Sequence, residues 1–475
     1  MPEHVSPGVL RNPQLKRTLG MWAIIGLGLG YMTPTVVFDT FGYVSGSTQN
    51  TVPLAYLAGL IVMLFTAISY GKLSGQFPNA GSAYTYAKEA IHPNMGFMVG
   101  WASLLDYILL PLVNVIIIRD YMLSAFPDVP PWIWVVAFVA ITTAIIYLTM
   151  RGTSNFNMVL LIFGVVAIVI FVVIAAIQVV NGEGAGTLIS AAPFTPADPS
   201  LGLLFTGAAL VSFSFIGFDA VTMYVEEAKD PKKMPRAIML TTLIGGAIFL
   251  VASYFAQLRF PDWLVFAPDG DLEAIDGATL PAIGDLIGGP VFPIILLTAG
   301  FLATAASGLA SHASVSRMLL VMGRNRVLPQ RFFGHVSPKT ATPTFNILLT
   351  GAIGLSAIWL DLATVFQVIA FGALVAFTFV NISALAWFAI RQGQRRTAKD
   401  VFRYIVLPVI GTVLTVVLWT SLSETAIMAG LVWAAIGLVY LAIITKGFRR
   451  KVSGFDEAQP VTGFNKAVPA TDPVE

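Results

Sequence analysis

Five carboxylates stand out in this sequence because they lie within, or at the end of, long apolar stretches. The set comprises Asp39, Asp106, Asp219, Glu226 and Glu227. A carboxylate inside a bilayer is costly unless another group pairs with it, so such residues usually mark a substrate or proton pathway. The chemistry that they predict is the binding of a cation or a proton.

Helix-weakening residues accompany two of these acids. Gly217 lies just before Asp219, and an interrupted helix is tolerated at membrane depth only where it faces protein or water. The stretch 19–44, which contains Asp39, is interrupted by Gly26, Gly28, Gly30 and Pro34. Two broken helices in matching positions are the sequence signature of a transporter binding site. Unwinding at Gly28-Leu29-Gly30 would expose backbone N–H and C=O groups, so we predict that Gly28 and Gly30 contact the substrate.

A third apolar stretch carries a polar stripe. At about 100° per residue, Ser103, Tyr107 and Asn114 share one helical face, and Asp106 lies at its shoulder. Such a stripe should face the interior of a helix bundle. Hydrogen bonds between helices would explain Ser103 and Asn114, whereas the ionisable Asp106 favours substrate or proton binding. Both interpretations stay open.

The acids at 219, 226 and 227 are assigned two roles. We predict that Asp219 faces the substrate or its proton. Glu226 and Glu227 follow at helical spacing and lie beside Lys229, which favours an ion pair that gates the inner end of the pathway. Proton coupling through Asp219, Asp106 or one of the two glutamates is the associated hypothesis.

Two outer features each have two interpretations. Asp39 would either line an outer vestibule or cap the end of a helix. In the longest predicted outer loop, residues 260–290, the piece Leu280–Ile287 would be either a short helix lying over the site or a passive connector.

A hydroxyl stripe marks the predicted eighth span. Thr304, Ser307 and Ser311 share one face among many small residues, which usually indicates close helix packing. The alternative is an ion site near the first broken helix. The neighbouring His312 would be either a titrating group or a buried histidine with a satisfied hydrogen bond.

The composition places the chain in a membrane. Of 475 residues, 56% are hydrophobic and 11% are charged, whereas soluble domains carry roughly 25% charged residues. The mean hydropathy is +0.81. With no cysteine there is no disulfide, thiol catalysis or iron–sulfur cluster, and a net charge of +2 gives no reason to expect nucleic-acid binding. Four scattered histidines and no nucleotide-binding loop predict no metal, no cofactor, no catalytic residue and no enzyme.

The predicted fold is an all-α integral membrane protein with twelve transmembrane helices. The apolar stretches of spanning length are 19–44, 52–75, 95–125, 131–150, 155–180, 201–227, 236–258, 291–322, 343–360, 362–390, 401–422 and 426–446. Lysines and arginines concentrate in one set of loops and acids in the other, so both termini are predicted to be cytoplasmic.

The twelve spans divide into two sets of five and a remaining pair. Each set begins with a glycine-broken helix, and because five is odd the sets have opposite orientations, as in an inverted repeat. We predict a cytoplasmic segment 1–18, repeats at 19–180 and 201–390, two extra helices at 401–446, and a disordered cytoplasmic tail at 447–475. Helices 1 and 6 are predicted to be discontinuous, with the substrate between the repeats.

Several motifs carry a resemblance to a known family. EEAKDPKKMPRAI (226–238), FIGFDAVT (215–222) and SRMLLVMGRNRVLP (316–329) resemble the amino acid–polyamine–organocation (APC) transporters. YMTPTVVFDTFGYVSG (31–46), FTAISYGKL (65–73), FPNAGSAYTYA (77–87), GFMVGWASLLDY (96–107), ASGLASHASVSR (306–317) and FGALVAFTFVN (371–381) look like the bacterial putrescine importers of that family.

The resemblance implies a fold, an activity and two recognition residues. It implies the LeuT-like fold of five plus five helices with two more, and proton-driven uptake of a diamine or polyamine through the inner membrane. It further implies that Tyr107 and one acid of the Glu226-Glu227 pair recognise the polyamine. The partners expected are this small cation, the coupling proton and the lipid bilayer, for a monomer or a homodimer without nucleic acid.

The residues themselves favour a diamine over an amino acid. Amino-acid carriers of this family have a Gly-Ser-Gly type turn in the first span, whereas here Gly28-Leu29-Gly30 lacks the hydroxyl. A diamine has a cation at each end and no carboxylate, which suits the interior acids. Cation–π attraction of about 0.5–2 kcal/mol each could come from four aromatic rings. These rings are Tyr31, Tyr107, Phe215 and Phe218.

Two rival functions stay open at this point. One is an amino acid:proton symporter or an amino acid exchanger of the same fold. The other, from a different class, is a membrane sensor or channel without transport, which would require a soluble signalling domain or a symmetric pore helix.

Overall fold

The computed structural model describes residues 19–77, 83–148, 154–225, 227–275, 277–289, 291–324, 327–337, 340 and 342–449. The predictions for residues 1–18, for Glu226 and for the tail from 450 to 475 fall outside these ranges. Within them the chain is helical and forms no β-strand, apart from an isolated parallel bridge between Leu19 and Ala228.

The first part of the chain, up to residue 211, contains a series of α-helices. They are α1 (Met21–Met32), α2 (Val36–Asp39), α3 (Phe41–Ser47), α4 (Val52–Ser74), α5 (Ala83–Ala90), α6 (Pro93–Ala125), α7 (Pro131–Leu148), α8 (Ser154–Val180) and α9 (Leu201–Val211).

Helices in the second part of the chain include two widened π-helical turns. The α-helices are α10 (Met234–Arg259), α11 (Leu280–Ile287), α12 (Phe292–Arg324), α13 (Gln330–Phe333), α14 (Thr344–Gly354), α15 (Leu362–Ala384), α16 (Ala398–Val401), α17 (Leu407–Thr420) and α18 (Glu424–Ile444). The π-helical turns are Leu385–Arg391, which continues α15, and Phe402–Val406, which joins α16 to α17.

Local sequence signals explain many of the helix starts. Proline occupies the first turn of several helices, where its missing N–H costs nothing, for example in α4, α6 and α10. Ser200 accepts a hydrogen bond from the Leu203 N–H at the start of α9, and Asp361 accepts one from the Thr364 N–H at the start of α15.

Eleven helical segments in the described residues are long and apolar enough to cross a membrane. The prediction of a multi-pass helical membrane protein is therefore confirmed. The predicted ninth span, 343–360, corresponds to Thr344–Ile358, which is shorter than the others. At 1.5 Å per residue it is roughly 22 Å long, less than the hydrocarbon thickness of about 30 Å.

The helices divide into an enclosed group and an outer group. α4 packs along α10, and α6 packs against both α12 and α15. In the most apolar window of the segment Leu362–Arg391, 78% of the residues are buried, compared with 17% in Glu424–Ile444. The outer faces of α17 and α18 are accordingly apolar and open to lipid. The interior acids lie in the enclosed group.

The helix of the first span ends further along the chain than its glycines predict. Gly28-Leu29-Gly30 lies within α1, so the prediction that the backbone unwinds there is wrong. The helix ends at Met32 because Pro34 disfavours the helical conformation in the residue before it. Thr33 instead adopts a left-handed conformation, with φ of 46°, before the chain re-enters α2.

The span that contains Asp219 is irregular around Gly217. After α9, a 3₁₀ turn covers Ser212–Phe215, and Gly217 then adopts a φ of 125°, which glycine tolerates best. A Cβ atom on Gly217 would lie only 3.0 Å from the Met32 nitrogen. The irregular backbone of this span therefore approaches the end of α1 closely, and only glycine fits there.

Candidate substrate and coupling site

Two interior carboxylates lie within electrostatic range of each other. Asp106 on α6 is buried, and its Oδ1 atom has no hydrogen-bond partner among the described residues. Asp219 Oδ1 accepts a hydrogen bond from the Gly217 N–H at 3.1 Å. The two charges interact through the interior of the protein. Asp106 Oδ1 is therefore a buried acceptor without a hydrogen-bond partner among the described residues.

Tyrosine hydroxyls surround the two acids. Tyr31, Tyr70 and Tyr107 each interact electrostatically with both carboxylates. The Tyr107 hydroxyl also donates a weak hydrogen bond to the Met223 sulfur at 3.9 Å. An arrangement of anions and aromatic rings of this kind suits a cationic ligand. Tyr31 and Tyr107 are predicted from the sequence, whereas Tyr70 is not, although it lies in one of the motifs that carry the family resemblance.

A small cavity opens beside the end of α1. Its volume is about 80 Å³, and its wall includes Gly30, Tyr31 and Tyr224 together with Ser307 and Ser311 of α12. A Cβ atom on Gly30 would meet no other atom within 4 Å, which agrees with a position on the cavity wall. Two serines of α12 therefore line the same cavity as the irregular backbone of the first span. Neither Asp106 nor Asp219 belongs to its wall.

Other predicted contact residues lie in the packed interior. A Cβ atom on Gly28 would lie 2.6 Å from Val221 Cγ2, so this glycine provides close packing between segments. Phe215 is fully buried against Phe249, with ring centroids 5.5 Å apart. Phe218 is also fully buried, and its ring lies 5.7 Å from that of Tyr70, which brings it next to the tyrosine group.

At one end of the first span, Asp39 is buried under α11. Its carboxylate accepts a hydrogen bond from the Tyr121 hydroxyl at 2.6 Å, and its backbone carbonyl accepts one from the Thr279 N–H at 2.9 Å. Thr304 contacts the same tyrosine hydroxyl. Leu280–Ile287 is thus a helix that begins next to Asp39, and the carboxylate of Asp39 is buried at this end of the span.

The loop before α11 has a second anchor. Asp120 Oδ1 accepts a hydrogen bond from Arg119 Nε at 2.8 Å, and Asp120 Oδ2 accepts one from the Ala278 N–H at 2.9 Å. The paired charges therefore fix the loop to α6, where the neighbouring residue Thr279 meets α2.

At the other end of the first span, two backbone segments are joined by hydrogen bonds. The Leu19 N–H donates to the Glu227 carbonyl at 3.0 Å, and the Lys229 N–H donates to the Leu19 carbonyl at 2.9 Å. An ion pair of 3.5 Å between Lys233 and Asp230 follows in the same segment. The gating role predicted for the Glu227 side chain stays a prediction.

Several polar side chains of the spans have ordinary local partners. Ser103 Oγ donates to the Val99 carbonyl within its own helix, and the Asn114 side chain donates to the Leu110 carbonyl. Their hydrogen bonds therefore lie within α6, not between helices as one interpretation expected. His312 Nε2 bonds the Ile347 carbonyl at 2.9 Å in a buried position, which favours the satisfied histidine. The described residues include no cluster of metal-binding side chains.

Comparison with known proteins decides the family. The sequence profile of the amino acid permeases matches residues 23–392. The chain belongs to the amino acid permease family. The resemblance seen in the motifs is thereby confirmed, and as an amino acid permease the chain is a multi-pass membrane transporter and not an enzyme.

Three relatives of this permease illustrate the range of its similarity. It is 46% identical over 459 residues to the low-affinity putrescine importer PlaP of Escherichia coli, an alignment that covers 96% of this chain and 100% of the importer. The branched-chain amino acid permease BcaP of Bacillus subtilis is 24% identical over 90% of this chain and 92% of its own length. The methylthioribose transporter of Bacillus subtilis is 26% identical over 90% and 94%.

Proposed function

We propose that this permease imports putrescine, or a closely related diamine, across the cytoplasmic membrane. The 46% identity to a putrescine importer over 96% of the chain supports this substrate class, whereas the amino-acid permease and the methylthioribose transporter share only 24% and 26%.

The observation that carries the proposal is the pair of interior carboxylates. Among the described residues, no lysine or arginine forms an ion pair with Asp106 or Asp219. A buried charge without a partner is expensive, so the site gains most from a ligand that brings positive charge. A diamine brings two ammonium groups, one for each acid, and the rings of Tyr31 and Tyr107 would add cation–π attraction.

We assign the remaining site residues by their positions. Gly30 would leave room for the ligand beside α1, and Phe218 would form an apolar wall behind the tyrosines for the methylene chain. Phe215 and Gly28 would act indirectly, by supporting the two irregular segments.

The transport cycle that we propose is alternating access. The irregular segments 33–35 and 216–219 would be the discontinuities of helices 1 and 6, and the two halves of the molecule would move against each other about them. Opening towards one side would break the contact of Asp39 with Tyr121. Opening towards the other would break the backbone bridge between Leu19 and Ala228.

The finer topology belongs to the same proposal. Thr344–Ile358 would complete a set of twelve spans arranged as a five-plus-five inverted repeat with two extra helices. The excess of lysine and arginine in one set of loops supports cytoplasmic termini and an inner-membrane location. The transporter would work as a monomer or as a homodimer.

A proton is the proposed coupling ion. Asp106 or Asp219 would take up the proton on the outer side and release it on the inner side. Ser307 and Ser311 would help to hydrate the cavity beside α1 during this exchange, since both are polar residues of its wall.

The experiment that tests this function is uptake into proteoliposomes containing the purified protein. We expect saturable uptake of radiolabelled putrescine that increases with an inward pH gradient. Excess unlabelled cadaverine should compete, whereas leucine and arginine should not. Competition by amino acids with no effect of diamines would instead establish an amino acid symporter or exchanger, and non-saturable flux would establish a channel.

A further inference from the structure

A second cavity shares no wall residue with the cavity beside α1. Its volume is about 430 Å³, and it lies between the end of α4, the start of α10 and the two π-helical turns. Gly75, Gln76 and Arg403 on its rim are exposed, so it opens to the surface.

The polar part of this cavity is basic. Lys72 Nζ and Arg403 Cζ lie 5.2 and 5.6 Å from the centre of the Tyr404 ring, so two cations lie near one aromatic ring. Lys72 also donates a hydrogen bond to the Arg403 backbone carbonyl. Two like charges beside the same ring favour an anion that binds both.

No acid in the described part of the chain neutralises this pair. None of the described carboxylates lies within 4.0 Å of Lys72 or Arg403. Asp400 lies on the same helical segment as Arg403, but its carboxylate accepts a hydrogen bond from the Thr397 N–H at 3.2 Å. The fixed basic groups are therefore left to a ligand.

The rest of the wall is apolar. Ile68, Pro235, Met239, Phe388 and Leu407 line it, and the Phe388 ring stacks on Tyr404 at 4.8 Å. Lys72 lies in the last turn of the span α4, and Arg403 lies near the start of the span Ala398–Thr420. The site is thus apolar towards the membrane interior and basic at its end, which is the polarity of a phospholipid.

The two π-helical turns independently indicate that this cavity is a functional site. Phe402–Val406 contains Arg403 and Tyr404, and Leu385–Arg391 contains Phe388. Turns of this kind are rare and often mark functional sites. Here both of them present side chains to the same cavity.

We propose that this cavity binds the phosphate headgroup of an anionic phospholipid, with the acyl chains along its apolar wall. Basic pockets between transmembrane helices recognise such headgroups elsewhere. The phosphate would bridge Lys72 and Arg403, and the bound lipid would join α4 to the start of α17. Lipid binding at this cavity is independent of the roles proposed for Asp106 and Asp219.

The test is lipid binding to the full-length protein in a neutral detergent, measured by native mass spectrometry. We expect a one-to-one complex with phosphatidylglycerol that is at least about tenfold tighter than that with phosphatidylcholine. Lys72→Gln and Arg403→Gln should each weaken it about tenfold, as expected for the loss of one charged hydrogen bond. Lys399→Gln, an exposed cation outside the cavity, is the matched control and should change nothing.

A second variant tests the proposal by filling the cavity, so that the test does not depend on the folding of the charge variants. Met239→Trp leaves both cations in place but fills the apolar part of the cavity, so it should also displace phosphatidylglycerol. Equal binding of phosphatidylcholine, equal loss in Lys399→Gln or unchanged binding in Met239→Trp would overturn the proposal. Displacement of the lipid by millimolar inorganic phosphate would show a soluble-anion site and would overturn it as well.

Discussion

Replacing Asp106 by asparagine removes one interior charge while keeping the shape of the side chain. Asp106 Oδ1 has no hydrogen-bond partner among the described residues, so the change should break no internal bond of that atom. The variant should therefore have the thermal stability of the wild type or exceed it, because the substitution removes the unfavourable burial of an unpaired charge. Transport, in contrast, should suffer.

The size of the transport defect follows from the lost contact. A hydrogen bond to a charged group contributes about 1.5–3 kcal/mol net, and about 1.4 kcal/mol corresponds to a factor of ten in affinity. We therefore expect the KM for putrescine to rise roughly tenfold to a hundredfold in Asp106→Asn. Butylamine, which has one amine, can still use Asp219, so its competition against putrescine uptake should weaken less.

The assay compares the two ligands in proteoliposomes that contain equal amounts of folded protein. Size-exclusion chromatography and a thermal melt establish that amount for the variant and for the wild type. Asp285→Asn is the matched control, because Asp285 is an exposed acid on α11, and its uptake should equal that of the wild type.

Two results would refute this explanation. Wild-type KM in Asp106→Asn would show that the carboxylate does not contact the amine. An equal loss for putrescine and butylamine would show that Asp106 acts on the whole site, by coupling or by folding, and not on one end of a diamine.

Further predictions concern the glycines and the outer contact. Gly28→Ala should cost about 1–3 kcal/mol of stability through overpacking, whereas Gly30→Ala should leave the melting temperature unchanged and reduce putrescine uptake, since its new methyl group enters the cavity. Equal melting temperatures for the two variants would contradict this. Tyr121→Phe deprives Asp39 of a hydrogen bond, so faster labelling of a cysteine introduced at the outer end of the pathway is expected, and an unchanged rate would exclude a gate there. Gly217→Ala forces a side chain into a φ of 125° and should lower stability by about 1–3 kcal/mol in a thermal melt; a wild-type melt would show that the backbone adapts.

Composition and periodicity were sufficient for the membrane architecture. A spanning helix must be apolar along most of its length whatever its neighbours are, so the stretches of suitable length could be read directly from the residues. The family resemblance was equally visible, because its motifs are contiguous. The short helix Leu280–Ile287 was one of two alternatives, and its apolar spacing agrees with the buried face that it presents to α12.

The first span contains two kinds of helix-weakening residue, the glycines and Pro34, and the sequence alone did not show which of them would end the helix. Glycine weakens a helix but does not by itself end it, and α1 continues through Gly28, where Val221 occupies the space that a side chain would fill. Pro34, which removes a donor and restricts its neighbour, ended the helix instead.

Partners distant in sequence also decided the roles of single side chains. Phe215 and Phe218 look equivalent in the sequence, yet the first packs against Phe249 and the second lies beside Tyr70. Asp39 obtains a hydrogen bond from Tyr121, whereas Asp106 Oδ1 has none among the described residues. A sequence determines which groups enter the membrane, because that depends on local hydrophobicity; only the packing of the helices determines which of them stay available to a substrate.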